Sequence, residues 1–228
     1  MIHANAASFP VQPFQARVSC ALALLFLLIV SASGTARATT VLNMDIDAMA
    51  VRAELIFEGE VIAVESRQNS TGMINTYITF RVTDVIKDAS DGGNVGQDLE
   101  LRFAGGAANG RRLEVTGMRQ PVMGETGIYF VESLSDDLVN PLLGWSQGHF
   151  VIEPDSQGVR RVSTAHDEAV TEVQSLSGIP AAIRKPQIQA PGASEVASGV
   201  VTERRDLLRE RRLSVDEFKT RIRDFVEN

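Results

Sequence analysis

The stretch 75–87, NTYITFRVTDVIK, alternates apolar and polar residues along most of its length. A period of two cannot serve a helix, whose faces repeat every 3.6 residues, but it lines the two faces of a strand. Ile78, Phe80, Val82 and Ile86 fall on one side, and Tyr77, Thr79, Arg81 and Thr83 on the other. The pattern predicts a half-buried antiparallel strand with one wet face.

The neighbouring segments carry the same kind of signal. LIFEGEVIAVES, 55–66, is rich in β-branched residues, and QNSTGM, 68–73, is a turn sequence, so the two strands form a long hairpin. Gly59 inside the first strand predicts a bulge or the close approach of another backbone. DLELRF, RRLEVT, IYFVES, LLGWSQGHFVIEPD and VRRVS follow as further short strands, separated by loops rich in Gly, Asp, Ser and Pro. No strand–helix–strand alternation interrupts them. The expected fold class is mainly β: a small antiparallel barrel or sandwich, OB-like in the barrel case, with a C-terminal α-helical segment. A short helix over about 46–53 precedes it, with Met44, Met49, Val51 and Leu55 on one face.

Beyond residue 164 the composition shifts to Ala, Ser, Gly and Pro. Pro180, Pro186 and Pro191 break any helix there, which predicts a linker over 166–199. VVTERRDLLRERR, from 200, reads as helix. The next helix carries its own start signals: Ser214 and Glu217 form an S-x-x-E capping box, with Leu213 and Phe218 placed as a hydrophobic staple. Val215, Phe218, Ile222, Phe225 and Val226 then share one face. Such a face either docks on the parent domain or grips a partner.

The start of the chain reads differently. Residues 1–17 hold Arg17 and no acid, 18–30 are mostly apolar, and Ala36-Arg37-Ala38 is an A-x-A cleavage pattern. This is the layout of a secretory signal peptide over 1–38, with an uncleaved envelope anchor as the alternative. Thirteen residues fall short of the roughly 20 that span a bilayer. Cys20, the only cysteine, lies in that segment and lacks the preceding residues of a lipidation site. Residues 39–228 would then have no thiol for disulfide, metal or nucleophilic chemistry. The expected localisation is periplasmic or extracellular. Loss of Arg17 and Arg37 leaves 20 basic against 29 acidic residues, a net charge of -9. That excess disfavours nucleic acid and anionic membranes as partners.

The chemical motifs are weak. Gly144-Trp145-Ser146-Gln147-Gly148 fits G-x-S-x-G, the nucleophile elbow of α/β-hydrolases. An elbow needs a strand, a sharp turn and a helix, whereas HFVIEP after Gly148 reads as strand. The expectation is therefore a serine on a strand between two glycines, with Gly144 and Gly148 allowing close packing and Trp145 and Phe150 filling core or rim. Serine hydrolysis through Ser146 is the enzymatic alternative. His149 and His166 show no metal-ligand spacing, and Asp88, Asp91 and Asp98 miss the EF-hand spacing. Neither a metal nor another cofactor is expected. AGGAANGRR, 104–112, lacks the helix of a phosphate loop and reads as a hairpin, with Arg111 and Arg112 free to meet an anion or a partner. Glu58 and Glu60, two apart on a strand, read as solvated face acids.

AELIFEGEVIAVESR, TYITFRVTDVIK and GWSQGHFVI together resemble a group of uncharacterised bacterial exported proteins. These share an A-[DE]-L-I-x-x-G-x-V strand, a T-x-[FV]-x-V strand and a late G-x-[AS]-x-G-x-[FY]-x-[VI] strand. The resemblance covers about 41–155 and the terminal LSVDEFKTRIRDFV. The strand order is also loosely similar to OB-type barrels, including the netrin-like barrel of tissue inhibitors of metalloproteinases. Those inhibitors use an N-terminal cysteine and disulfides that this sequence lacks. The resemblance implies a β-domain over 39–165 and, through the inhibitors, a secreted peptidase as one class of protein partner. The functional expectation is an exported, non-catalytic binding module. Its candidate contact residues are Val215, Phe218, Ile222 and Phe225 on the last helix and Arg111 and Arg112 on the hairpin, with loops 105–112 and 134–140 exposed beside them.

Overall fold

The structure, a computed structural model, describes residues 42–89, 95–179, 196–203 and 212–227. The chain divides into two units, Met1–Ala38 and Thr39–Asn228, and all described residues belong to the second. The expected signal segment, Cys20 and Asp91 lie outside the described residues.

A short helix α1 (Ile46–Arg52) leads into β1 (Leu55–Gln68), β2 (Ile74–Asp88), β3 (Asp98–Ala104), β4 (Gly106–Ala108), β5 (Arg111–Leu113) and β6 (Thr126–Val131). Then come β7 (His149–Pro154), β8 (Arg160–Thr164), β9 (Ala169–Val173), β10 (Val200–Glu203) and helix α2 (Val215–Glu227). Eight strands form one sheet in the order β10-β9-β8-β7-β6-β1-β2-β3, and β4 pairs with β5 as a separate ribbon. Every strand pairing is antiparallel. The fold is mainly β with a C-terminal helix, as its sequence predicts.

Both faces of the sheet are apolar. One face carries Ile56, Ile128, Phe130, Phe150, Ile152 and Val162 and is covered by both helices through Ile46, Met49, Phe218 and Ile222. The other carries Leu55, Phe57, Ile78, Phe80, Phe103, Tyr129 and Val131. There Phe57, Phe80 and Tyr129 form a three-ring cluster with centroids 4.7 to 5.4 Å apart. Strand β6 shows how alternation feeds the two cores: Ile128 and Phe130 face the helices, Tyr129 and Val131 the opposite side.

Bulges decide where the simple alternation fails. Phe57 pairs with Val85 and Ile56 with Lys87, so Ile86 is an extra residue on β2; Thr83 is another, between the partners of Glu58 and Gly59. Each extra residue reverses the side on which its successors point. Ile86 consequently joins the helix-side core, while Ile78, Phe80 and Val82 stay in the other. Gly59 sits at one of these shifts, as expected. A Cβ there would lie 2.9 Å from the Phe57 ring and 3.0 Å from the Arg81 carbonyl.

The C-terminal third departs most from the sequence reading. Ala169–Val173 is strand β9 rather than linker, and Val200–Glu203 is strand β10 rather than the start of a helix. Both segments alternate too briefly to be told from polar chain by pattern alone. Residues 180–195 and 204–211 of those expectations lie outside the described residues. The segment before α2 is also sewn into the sheet. Leu213 donates its N–H to the Val170 carbonyl at 2.8 Å and accepts from the Val162 N–H at 3.1 Å. It thus inserts between β8 and β9, which pair with each other only at Ser163 and Ala169. The capping box forms as expected: Ser214 Oγ accepts from the Glu217 N–H at 3.3 Å, and Glu217 accepts from the Ser214 N–H at 2.9 Å.

Candidate functional site

Five features of the described residues bring polar groups together, and the first is the motif around Ser146. The five-residue pattern forms a 3-10 turn, Trp145–Gly148, running straight into β7. The expected strand is displaced by this turn because Gly144 (φ 62°) and Trp145 (φ 60°) both adopt left-handed backbone, which extended chain does not allow. No helix follows, so the elbow geometry is not formed. Ser146 is 3% exposed and its Oγ meets no hydrogen-bond partner among the described residues. Gln147 has a clear structural task. Its Oε1 accepts from the Met44 N–H at 2.8 Å and its Nε2 donates to the Leu42 carbonyl at 3.0 Å, fastening the chain that enters α1. Gly148 is required by packing: a Cβ would lie 2.4 Å from the Leu143 carbonyl oxygen.

A second feature surrounds His149, which is fully buried. Its Nε2 lies 2.6 Å from Glu125 Oε1 and 3.2 Å from Arg119 Nη1. Arg119 also donates to Glu125 Oε2 at 2.7 Å, and the Tyr129 hydroxyl donates to Oε1 at 3.2 Å. Burial opposes the charge on Glu125, but the His149 and Arg119 interactions outweigh it and hold its carboxyl below the usual range. Burial lowers His149 despite the Glu125 hydrogen bond, and Arg119 adds to the lowering. Neutral His149 donating through Nε2 to an ionised Glu125 satisfies the shorter contact, and Arg119 then directs its hydrogen bond to Glu125 and not to the imidazole. Tyr129 is raised well above its ordinary value by burial and then by Glu125.

The third feature is a clasp beneath α2. Lys219 Nζ donates to Glu58 Oε2 at 2.8 Å and to Asp84 Oδ2 at 2.9 Å; Arg160 also pairs with Glu58, and Arg223 with Asp84 at 2.9 Å. Glu58 is 3% exposed, which corrects its reading as a solvated acid: α2 covers the face on which it stands. Burial works against the Lys219 charge, yet its two carboxylates raise its pKa above normal. Asp84, likewise opposed by burial, is lowered by Lys219 and Arg223.

The fourth feature, the β4–β5 hairpin, turns on Asn109 (φ 52°) and Gly110 (φ 72°), the left-handed pair of a two-residue hairpin. Arg111 and Arg112 are exposed on it, and Arg112 lies 3.8 Å from Glu114. The hairpin borders a cavity of about 330 Å³ lined in part by Gly105, Arg112 and Gln120.

The fifth feature is a groove of about 1000 Å³ between α1, the end of β9 with its following turn, and the outer side of α2. Its walls are fixed. Asp47 of α1 accepts from the Ser175 hydroxyl at 2.7 Å and from the Leu176 and Ser177 N–H groups at 2.8 and 2.7 Å. Burial alone would raise the Asp47 pKa, but these bonds and that from Ala48 lower it. Lys87 donates to the carbonyls of Ala50 and Ala53, satisfying the end of α1. Val51 projects at this site with 61% exposure, which corrects its place on the buried face of α1. In α1 the buried positions are Ile46, Asp47, Met49 and Ala50, and Val51 falls beyond them on the outer side.

The six candidate contact residues therefore separate. Val215, Phe218 and Ile222 are at most 3% exposed and belong to the domain's own core, so no partner reaches them. Phe218 packs at a tilt against Phe150 with centroids 4.8 Å apart. Phe225 is partly buried and lines the groove. Arg111 and Arg112 stand apart on the hairpin. Among the other groove residues, Arg221 and Asp224 lie on the helix expected to carry contacts, whereas Glu172 escaped the sequence reading because β9 had no recognisable signal. Of the other expected positions, His166 sits in the β8–β9 turn, where its N–H donates to Thr164 Oγ1 at 3.3 Å, and Asp98 pairs with Arg81 at 3.3 Å. Among the described residues, no group of three or more His, Cys, Asp or Glu is placed to hold a metal ion, and no helix is long and apolar enough to cross a membrane. Comparison of the chain with models of protein families, with curated proteins and with solved structures found no match.

Proposed function

We propose that this protein is an exported, non-catalytic binding module whose docking surface is the groove between α1, β9 and α2. The observation that carries this reading is the groove itself. Its volume, about 1000 Å³, is at the upper end of small-ligand pockets and suits a short peptide segment. Its rim offers an exposed Val51 and a half-buried Phe225 beside charged side chains, a mixture suited to protein contact. Its walls are held by the Asp47 and Lys87 hydrogen bonds, so little ordering cost accompanies docking. A secreted peptidase is one class of partner for such a module.

A photo-reactive side chain at position 51, introduced in the native host, tests the reading. The same group at Val122, 56% exposed and outside the groove, is the control. A discrete adduct with one exported protein at position 51 but not at 122 is expected. No adduct at 51, or the same adducts at both positions, overturns the reading. A fluorophosphonate probe that labels the protein, with labelling lost in Ser146→Ala, would favour the hydrolase alternative.

A further inference from the structure

We infer that the protein associates with a second copy of itself through the open edge of β1, the two strands running antiparallel about a two-fold axis at Ser66. This goes beyond the binding-module reading and does not depend on it, since no residue of that edge lines the groove.

The edge is open because β1 outruns its neighbour β6. β1 spans Leu55–Gln68, but β6 pairs with it only from Leu55 to Glu60. Val61 adds one more pair of bonds, donating to the Glu125 carbonyl and accepting from the Gly124 N–H, each at 2.9 Å. Beyond it, β1 pairs only with β2 among the described residues. The hairpin turn fixes which backbone groups face outward. Asn69 donates to the Met73 carbonyl, which closes a hydrogen-bonded pair, whereas the Ile74 carbonyl faces away from β1 and accepts from Gly105. Alternation then turns the N–H and C=O groups of Gln68, Ser66 and Val64 away from β2. Such a row is a template for another strand. The edge of β3, by contrast, is partly covered: the Val139 carbonyl takes the Ala104 N–H and the Leu138 carbonyl takes the Arg102 side chain.

Two independent observations commit the edge to a second copy, and both select one register. The first is length. The open stretch, Val64–Gln68, is stopped at one end by loop 122–125 on Val61 and at the other by turn 69–73. Two copies fill each other's stretch when its midpoint, Ser66, faces Ser66 and Val64 faces Gln68, which gives about six backbone hydrogen bonds. The second is charge. In that register Glu65 stands opposite Arg67 of the copy, twice over, and opposite charges across strands stabilise a pairing. Centring the pair one residue away sets Glu65 against Glu65 or Arg67 against Arg67. Both side chains are more than half exposed, and Arg67 lies 4.7 Å over the Tyr77 ring, on the face where Glu65 stands. The same register carries each turn to the other copy's loop 122–125, so exposed Met73 meets exposed Val122 and Met123 at both ends. The contact is small, so the dimer should depend on concentration.

Sedimentation velocity of the purified protein from about 1 to 500 μM tests the inference and should show a monomer–dimer equilibrium. Arg67→Glu and Glu65→Arg should each weaken association by about tenfold or more. Mixed in equal amounts, these two variants should associate again, because every like-charge pair becomes an opposite pair. Val64→Pro removes an outward N–H from each strand and should also weaken association by about tenfold. Asp136→Arg, exposed on a loop away from the edge, should change it by less than about twofold. Urea midpoints confirm that each variant folds, and recovery on mixing excludes misfolding as the cause of weakening. A monomer at every concentration overturns the inference. So does a dimer indifferent to the edge variants, or a mixture that fails to recover. A photo-reactive group at Val122 would join two copies of this chain, an adduct distinct in mass from one with another exported protein, so failure of the dimer and failure of the groove are told apart.

Discussion

The two buried polar clusters of this domain solve the same problem differently. In the clasp, Glu58 and Asp84 meet Lys219, Arg160 and Arg223, so every charge has an opposite and the joint ties β1, β2 and β8 to α2. In the other cluster, Glu125 meets a single cation, Arg119, and its second partner is a histidine that stays neutral. His149 Nδ1 has no hydrogen-bond partner among the described residues. The comparison teaches that the clasp is a joint between elements, balanced across a wide pH range. The histidine cluster is a joint within one face, where burial opposes an added proton on His149 despite the neighbouring Glu125 carboxylate.

Removing one side of each joint should give the largest effects. Glu58→Leu leaves Lys219 and Arg160 without their shared carboxylate and should cost about 3–5 kcal/mol in urea unfolding. Phe218→Ala, which empties the ring position packed against Phe150, should cost about 3–5 kcal/mol. If Glu58→Leu proves neutral while Phe218→Ala does not, α2 is held by its apolar face and the clasp contributes nothing.

Acid should separate the clusters. His149 is lowered in the folded state, so the unfolded chain binds its proton more readily, and stability declines as pH falls below about 6.5. Glu125 and Asp84 are also lowered, so their contribution holds above about 4 and declines only as pH falls through the carboxylate range. Lys219 is raised; its contribution is complete below about 10.4 and is lost as pH rises through its folded value. Urea midpoints between about pH 7 and 5 should therefore drop, and the drop should flatten in His149→Gln. An unchanged slope in that variant would locate the acid response elsewhere.

Smaller effects follow. Gly148→Ala forces a methyl against the Leu143 carbonyl and should cost about 1–3 kcal/mol. Ser214→Ala removes the α2 cap and should cost about 1 kcal/mol. Arg112→Gln, exposed on the hairpin, should stay within about 0.5 kcal/mol of the parent. A larger loss there would reveal a structural role for the hairpin that its contacts do not suggest.

The readable parts of the fold were those whose signals are local. The alternation of β2 up to Val82, the Asn109-Gly110 hairpin and the Ser214–Glu217 cap each lie within a few residues of chain. Strands β9 and β10 were missed because each is five residues or fewer and takes its identity from neighbours far along the sequence. The face of Ile86 was missed because a bulge is set by pairing across strands and leaves no trace in one strand alone. The same limit hid Glu58: nothing near it in sequence announces Lys219, 161 residues away. The candidate groove was least legible of all, since it exists only where α1, β9 and α2 meet.

The insertion of Leu213 between Val162 and Val170 carries a consequence for timing. Apart from the β1–β6 pairing, the sheet joins strands that follow one another in sequence, which an emerging chain could complete one at a time. Yet β8 and β9 are joined chiefly by Leu213, a residue far along the sequence from both strands. The helix-side core likewise waits for Phe218 and Ile222. Contacts of such long sequence separation form late and slowly. The domain therefore reaches its native state only once Leu213, Phe218 and Ile222 are available, and a chain cut short near residue 210 would be left with an open seam and an uncovered apolar face.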